Sequence, residues 1–345
     1  MVRLSRRQAL ACGLGAIAGS AGGSARAQDP QFFRIATGPT DSTLFQIGTL
    51  IGQVISSPPG ARECERGGSC GVPGLVAVSQ TTQGAIANID LIRNKRIDSG
   101  LCQADIAFWA FHGLGMYRLS GAVPNLRAIA NLFPEAVHVV VRKDANIGSI
   151  GDLRGRRVAV GEPETGLRVT TLAILAAAGV AEADIQAVPL APSTAADALR
   201  EGTIDAFFEM AGAPSAVIVD LATHLEIALL PMPEPLIAQL RDSSPFFTAT
   251  AIPADSYNGV EAIATIGIGT LWVVQAEIAA PIVQGLLRAL FHQNNRRALD
   301  QGHPLGRLIK LDTALDGIAI ELHPGAAQYY LDAGVDAALV RRLQP

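Results

Sequence analysis

Two segments of this chain share one pattern: a short apolar run, a turn of Gly, Pro and hydroxyl residues, then an apolar stretch of helix length. The first is residues 33–37, the turn Gly38-Pro39-Thr40-Asp41-Ser42-Thr43, and residues 44–55. The second is residues 157–160, the turn Gly161-Glu162-Pro163-Glu164-Thr165-Gly166, and residues 167–178, ended by Gly179. Strand, polar turn and helix in that order open an open-faced α/β sheet, and such turns at the carboxyl ends of strands are where ligands bind. Two copies predict two α/β lobes rather than one long sheet domain.

A second echo supports the duplication. A helix over 85–94, the polar stretch Asn94-Lys95-Arg96-Ile97-Asp98 and a strand region over 99–108 match a helix over 194–200, Arg200-Glu201-Gly202-Thr203-Ile204-Asp205 and a strand over 204–208. Further strands are expected over 75–78, 137–141, 188–190 and 266–274, with a helix over 278–291. A chain that starts one lobe, builds another and returns needs two crossings. Pro134, Pro231 and Pro233 place them near 132–136 and 229–232. The expected division is residues 28–133 with 232–345 in lobe 1 and 134–231 in lobe 2. Two crossings make a hinge over a cleft.

The first 27 residues stand apart. Arg3, Arg6 and Arg7 precede an apolar, small-residue stretch and an Ala25-Arg26-Ala27 cleavage signature, as in a secretory signal, and the Arg6-Arg7 pair points to the twin-arginine route. These residues hold four of the 27 Lys and Arg and none of the 31 Asp and Glu, so the remainder carries 23 against 31, a net charge of −8. An acidic surface with 5% aromatic residues argues against nucleic acid or anionic lipid as partner. For an exported chain the spacing of Cys64 and Cys70 around Glu-Arg-Gly-Gly-Ser reads as a short disulfide loop. A metal site there lacks a third and fourth ligand, and Cys102 reads as a buried small hydrophobe. No catalytic set, metal or cofactor is expected.

Several residues are candidates for holding a solute. Thr40, Ser42 and Thr43 offer hydroxyls beside a helix N-terminus, either as ligand contacts or as caps. Thr165, Gly166 and Arg168 offer the same in the second unit, where Arg168 either pairs a carboxylate or rests against Glu164. Gln103 and Asp105 lie two apart at the end of an apolar strand, on one face. Glu209 closes the matching strand. Gly67-Gly68-Ser69-Cys70-Gly71 fits the G-x-S-x-G spelling without the strand and helix a nucleophile elbow needs.

Taken in order, Ile35-Ala36-Thr37-Gly38 through Ile47-Gly48, Gln103-Ala104-Asp105-Ile106-Ala107, Asp152-Leu153-Arg154-Gly155-Arg156-Arg157-Val158, Ile204-Asp205-Ala206-Phe207-Phe208, Gly212-Ala213-Pro214 and Leu322-His323-Pro324-Gly325-Ala326 resemble the TAXI family, the TRAP-associated extracytoplasmic immunogenic proteins. The resemblance covers nearly the whole chain after residue 27. It implies a type II periplasmic-binding-protein fold and a small carboxylate ligand passed to a TRAP membrane permease; Arg168 with Glu209 also suits an amino-acid-like ligand, and a periplasmic monomer is expected. A module of the same fold serving an ABC importer or a sensor kinase is the alternative, and an exported hydrolase a remote one.

Overall fold

The computed structural model describes residues 29–344 except Asp41 and Glu164, so residues 1–27, expected to be a secretory signal, and those two acids lie outside the described residues. In chain order, β1 (Gln31–Ala36) leads into α1 (Thr43–Ile55), and two short strands, β2 (Ser56–Ser57) and β3 (Val72–Pro73), flank the cysteine loop. β4 (Leu75–Gln80), α2 (Ala85–Arg93), β5 (Ser99–Gln103) and α3 (Ala104–His112) complete the first unit. Then come β6 (Leu126–Arg142), β7 (Arg157–Ala159), α4 (Gly166–Ala177), β8 (Gln186–Val188), α5 (Pro192–Arg200), β9 (Ala206–Ala211), α6 (Ala216–His224) and β10 (Ile227–Leu229). The chain closes with α7 (Glu234–Ser243), β11 (Phe247–Ile252), β12 (Ile263–Gln275), α8 (Ala280–Leu290), α9 (Arg296–Gly302), α10 (Pro324–Asp332) and α11 (Ala337–Arg342).

One ten-stranded sheet runs β4-β1-β5-β12-β6-β9-β7-β8, with β10 on β6 and β11 on β12. The set β4-β1-β5 is parallel, and so is β8-β7-β9. Between them lie β12 and β6, antiparallel to each other and to the strands they join. The two parallel sets are one motif built twice. Arg34 of β1 donates its backbone N–H (2.8 Å) and Nε–H (3.1 Å) to Asp98, just before β5. Arg157 of β7 does the same to Asp205, just before β9, at 2.8 and 3.1 Å. These pairs are part-exposed, and solvent screening leaves such ion pairs little weight in stability. Their significance is that the sequence echo is a structural repeat.

The packing explains the helices. Ser42 caps α1 by accepting from the Phe45 N–H, and Ile47, Ile51 and Ile55 line its buried face. His323 accepts from the Gly325 N–H ahead of Pro324, whose fixed φ and missing N–H suit the first helical position of α10. Trp272 of β12 is fully buried with its ring edge-on to Phe33 of β1, 6.4 Å between centroids. A smaller core of Leu199, Phe207, Ile218 and Leu221 lies under the second parallel set.

Two sequence expectations need correction. The strand expected over 99–108 stops at Gln103, and α3 starts at Ala104 and ends at Gly113 in the left-handed conformation. An apolar run cannot distinguish the two by periodicity alone. The crossing expected near 132–136 falls inside a strand and not in a loop. β6 passes through Pro134 unbroken, pairing with β12 over residues 126–136 and with β9 over 136–141. Pro134 stands opposite Gly269, beside the register shift at Thr270 and Leu271. At such an irregularity a missing N–H is tolerated.

Candidate functional site

The carboxyl ends of β5 and β9 and the middle of β6 place polar side chains inside the molecule. Gln103, the last residue of β5, donates its amide Nε2 to both oxygens of Glu135 on β6, at 3.2 and 3.0 Å. Thr270 on β12, opposite Gln103 in register, donates its hydroxyl to Glu135 Oε1 at 3.3 Å. Asp105 follows in the first turn of α3 with no solvent exposure, and its Oδ1 accepts from the Ile106 N–H at 2.8 Å. Its Oδ2 has no hydrogen-bond partner. Gly166, the first residue of α4, comes so close that a Cβ there would stand 3.3 Å from Asp105 Oδ2 and from Ile106 Cδ1. The second unit thus meets the first at this point.

Glu209 near the end of β9 is the third buried carboxyl. Its Oε1 accepts from the Ser215 hydroxyl at 2.8 Å, while its Oε2 has no partner. A relay pins this arm. Nδ1–H of His138 donates to the Ala136 carbonyl (3.0 Å), which leaves Nε2 to accept from the Tyr257 hydroxyl (2.8 Å). The Tyr257 oxygen accepts in turn from the Ser215 N–H (2.8 Å). Burial holds the His138 imidazole neutral, its pKa down to about 4.

Burial acts on the carboxyls in the opposite sense. It raises Asp105 to about 6, and Glu135 and Glu209 each to about 7. On Glu135 the hydrogen bonds from Gln103 and Thr270 oppose the rise, and the charges of Asp105 and Glu209 add to it. The positive N-terminal end of α4 faces Asp105, yet desolvation outweighs it. Among the described residues no Lys or Arg forms an ion pair with any of the three.

Of the residues singled out in the sequence, Gln103, Asp105, Gly166 and Glu209 come together here. The others do not. Ser42 and Thr165 are committed as caps: each hydroxyl donates to a carbonyl of its own turn, Pro39 or Glu162, and accepts the N–H three residues on. Thr40 is exposed and Thr43 half-buried at the start of α1, without a bond to the cluster. Arg168 pairs with Glu182, in the segment after α4. Gln103 and Asp105 do not share a strand face, because the helix begins between them. Glu135, Thr270, Ser215, Tyr257 and His138 were not recognised as a set. The signal for them was Glu135 and His138 inside the otherwise apolar run from Leu132 to Val141.

Residues 35–334 match the NMT1-like family. The chain belongs to the NMT1-like family. Among solved structures it is similar to the periplasmic aliphatic sulphonate-binding protein SsuA of Escherichia coli, at 15% identity over 92% of this chain and 80% of that one, with a TM-score of 0.50. It is similar as well to the periplasmic sulfonate-binding protein SsuA of Methylobacillus flagellatus KT, at 14% identity over 92% of each chain, TM-score 0.50. The fold of this NMT1-like chain is therefore that of the periplasmic binding proteins, a mixed α/β architecture as the sequence predicts.

Elsewhere in this NMT1-like protein, Cys64 and Cys70 form a disulfide and Cys102 is free and buried. The third ligand that the sequence lacked is supplied by tertiary structure: His292 Nε2 lies 3.8 Å from Cys64 Sγ. The disulfide leaves no thiolate for a metal. Ser69 donates to the Ser56 carbonyl and accepts from the Gly71 N–H, a turn-forming role with no helix behind it. No helix among the described residues is long and apolar enough to cross a membrane. A cavity of about 230 Å³ runs between Phe108 and Trp109 of α3 and Val169, Thr170 and Ala173 of α4. A larger one of about 920 Å³, also touching Trp109 and Val169, opens at the surface.

Proposed function

We propose that this NMT1-like protein is an extracytoplasmic solute receptor, exported by its N-terminal segment, that captures a small polar ligand between its two α/β units and delivers it to a membrane permease. One observation carries the reading: the strand ends of both units converge on a buried polar cluster in which Asp105 Oδ2 and Glu209 Oε2 lack partners. Buried acceptors normally find donors, and two orphans at one junction mark a place for a ligand. The family and the fold support a receptor. The units correspond to residues 28–133 with 232–345 and residues 134–231, joined by β6 and the return near Leu230, and separation of α3 from α4 opens the cleft.

The ordered resemblance to the TAXI family favours a TRAP permease as the partner, with the receptor acting as a monomer. The two similar solved structures described above are named for sulfonates. A strongly anionic solute, whether sulfonate or dicarboxylate, would here meet Asp105, Glu135 and Glu209, none of which is ion-paired with a Lys or Arg among the described residues. Native mass spectrometry of protein purified without refolding tests the reading. A small-molecule mass adduct in one-to-one ratio, lost on denaturation and weakened in a Glu209→Gln variant, is expected. No adduct, together with no thermal shift from any solute in a broad panel, would reject it.

A further inference from the structure

The cleft residues also say which sign of solute they suit, given that the receptor reading holds. We propose that the ligand is an organic cation, an ammonium or guanidinium bearing several N–H donors, held by Asp105, Glu135 and Glu209. The three come from three elements: the first turn of α3, the middle of β6 and the end of β9. Each is nine-tenths or more buried, at 0, 6 and 5% exposure. Buried carboxyls are ordinarily ion-paired; none of these is, among the described residues. Glu135 has its oxygens met by Gln103 and Thr270, but Asp105 and Glu209 each present one oxygen that nothing bonds. What fits is a partner with positive charge and N–H groups pointing in two directions.

A metal ion fits less well. Among the described residues, the only three metal-capable side chains with ligand atoms within 4.8 Å of one another are Cys64, Cys70 and His292. The three carboxyls are too widely spaced for a single ion's shell and better matched to a molecular cation. An anionic group would face these carboxyls, and Arg168, the basic side chain nearest in sequence to Gly166, is engaged with Glu182.

Charge balance gives the idea a signature. Unliganded, the carboxyls hold protons toward neutrality because burial penalises the ions. A bound cation favours the ions, so binding releases protons and tightens as pH rises. The ionisable groups facing the cluster are His138 and Tyr257 beside Glu209, and Cys102 beside Asp105. Burial keeps all three neutral across this range, so the carboxyls alone release protons.

The experiment uses the whole exported chain. Thermal shift is measured against matched probes: putrescine, agmatine and other small amines and guanidines on one side, ethanesulfonate, succinate and glutamate on the other. Calorimetry follows for the best of each, near pH 6 and pH 8, in two buffers of different ionisation enthalpy. A cation is expected to bind at least about tenfold tighter at the higher pH, with proton release at the lower pH only. Glu209→Gln and Asp105→Asn should each weaken it by about ten- to a hundredfold. Tighter binding of an anion with no cation hit would overturn the cation and leave the receptor. So would a cation unaffected by both substitutions. Failure of every probe in both classes, with no co-purified solute, would reject both.

Discussion

Tyr257 shows how much one hydroxyl can hold. It accepts from the Ser215 N–H and donates to His138 Nε2, so it fixes the start of α6 and, through Ser215, the rotamer of Glu209. Tyr257→Phe leaves two buried groups unpaired, each costing about 1–3 kcal/mol. We expect a loss of about 2–4 kcal/mol in denaturant unfolding. Removing the acceptor as well, in Tyr257→Phe with His138→Phe, should cost less than the two single changes added together. A loss under about 0.5 kcal/mol for Tyr257→Phe would refute the relay. None of these partners was legible as a set: Tyr257 lies 119 residues from His138 and 42 from Ser215. Glu209 was legible, because its place at the end of a repeated strand could be aligned with the first unit.

Elements were read well where a local rule decides them, and poorly where packing does. The starts of α1 and α4 follow from Ser42 and Thr165, whose hydroxyls cap the helices they precede. That same role engages both hydroxyls within their own turns. The boundary between β5 and α3 was missed because Leu101 to Phe111 is apolar with either period, and only its tertiary neighbours decide where the strand ends. The cysteine loop was legible because the two thiols are six residues apart and need no distant partner. Closing so short a loop contributes about 2 kcal/mol in the chain-entropy model. Thiol counting on denatured, unreduced protein lacking residues 1–27 should therefore find one thiol, Cys102. Reduction should lower stability by about that amount, and three thiols in unreduced protein would contradict the bond.

At the scale of the molecule, the buried carboxyls set a pH dependence of the unliganded form. Glu135 and Glu209 titrate about 7 when folded against a usual 4.5, and Asp105 about 6 against 3.8, so the folded state binds more protons between those values. Stability then falls as pH rises through that window. His138 works oppositely: its folded pKa of about 4 lies below the usual 6.5, so its contribution is lost as pH falls from 6.5 toward 4. Above about pH 6.5 the carboxyls act alone. The unliganded protein should melt at a lower temperature at pH 8 than at pH 6.5, and Glu135→Gln with Glu209→Gln should flatten the difference. Equal melting temperatures in the parent protein would mean that these groups are not held protonated.

The sequence by itself determined the α/β class, the duplicated strand–turn–helix unit, the helix caps and the cysteine pair. Each of these is read from the local backbone preferences and periodicity of short segments, and the duplication from the same pattern occurring twice. Tertiary structure alone decided that β6 runs unbroken through Pro134, that Arg168 pairs with Glu182, and that Asp105, Glu135 and Glu209 share one buried junction. The reason is desolvation: a carboxyl reads the same in sequence whether it faces water or another carboxyl. Only the packing of three elements drawn from both units removes the water and gives these three their character.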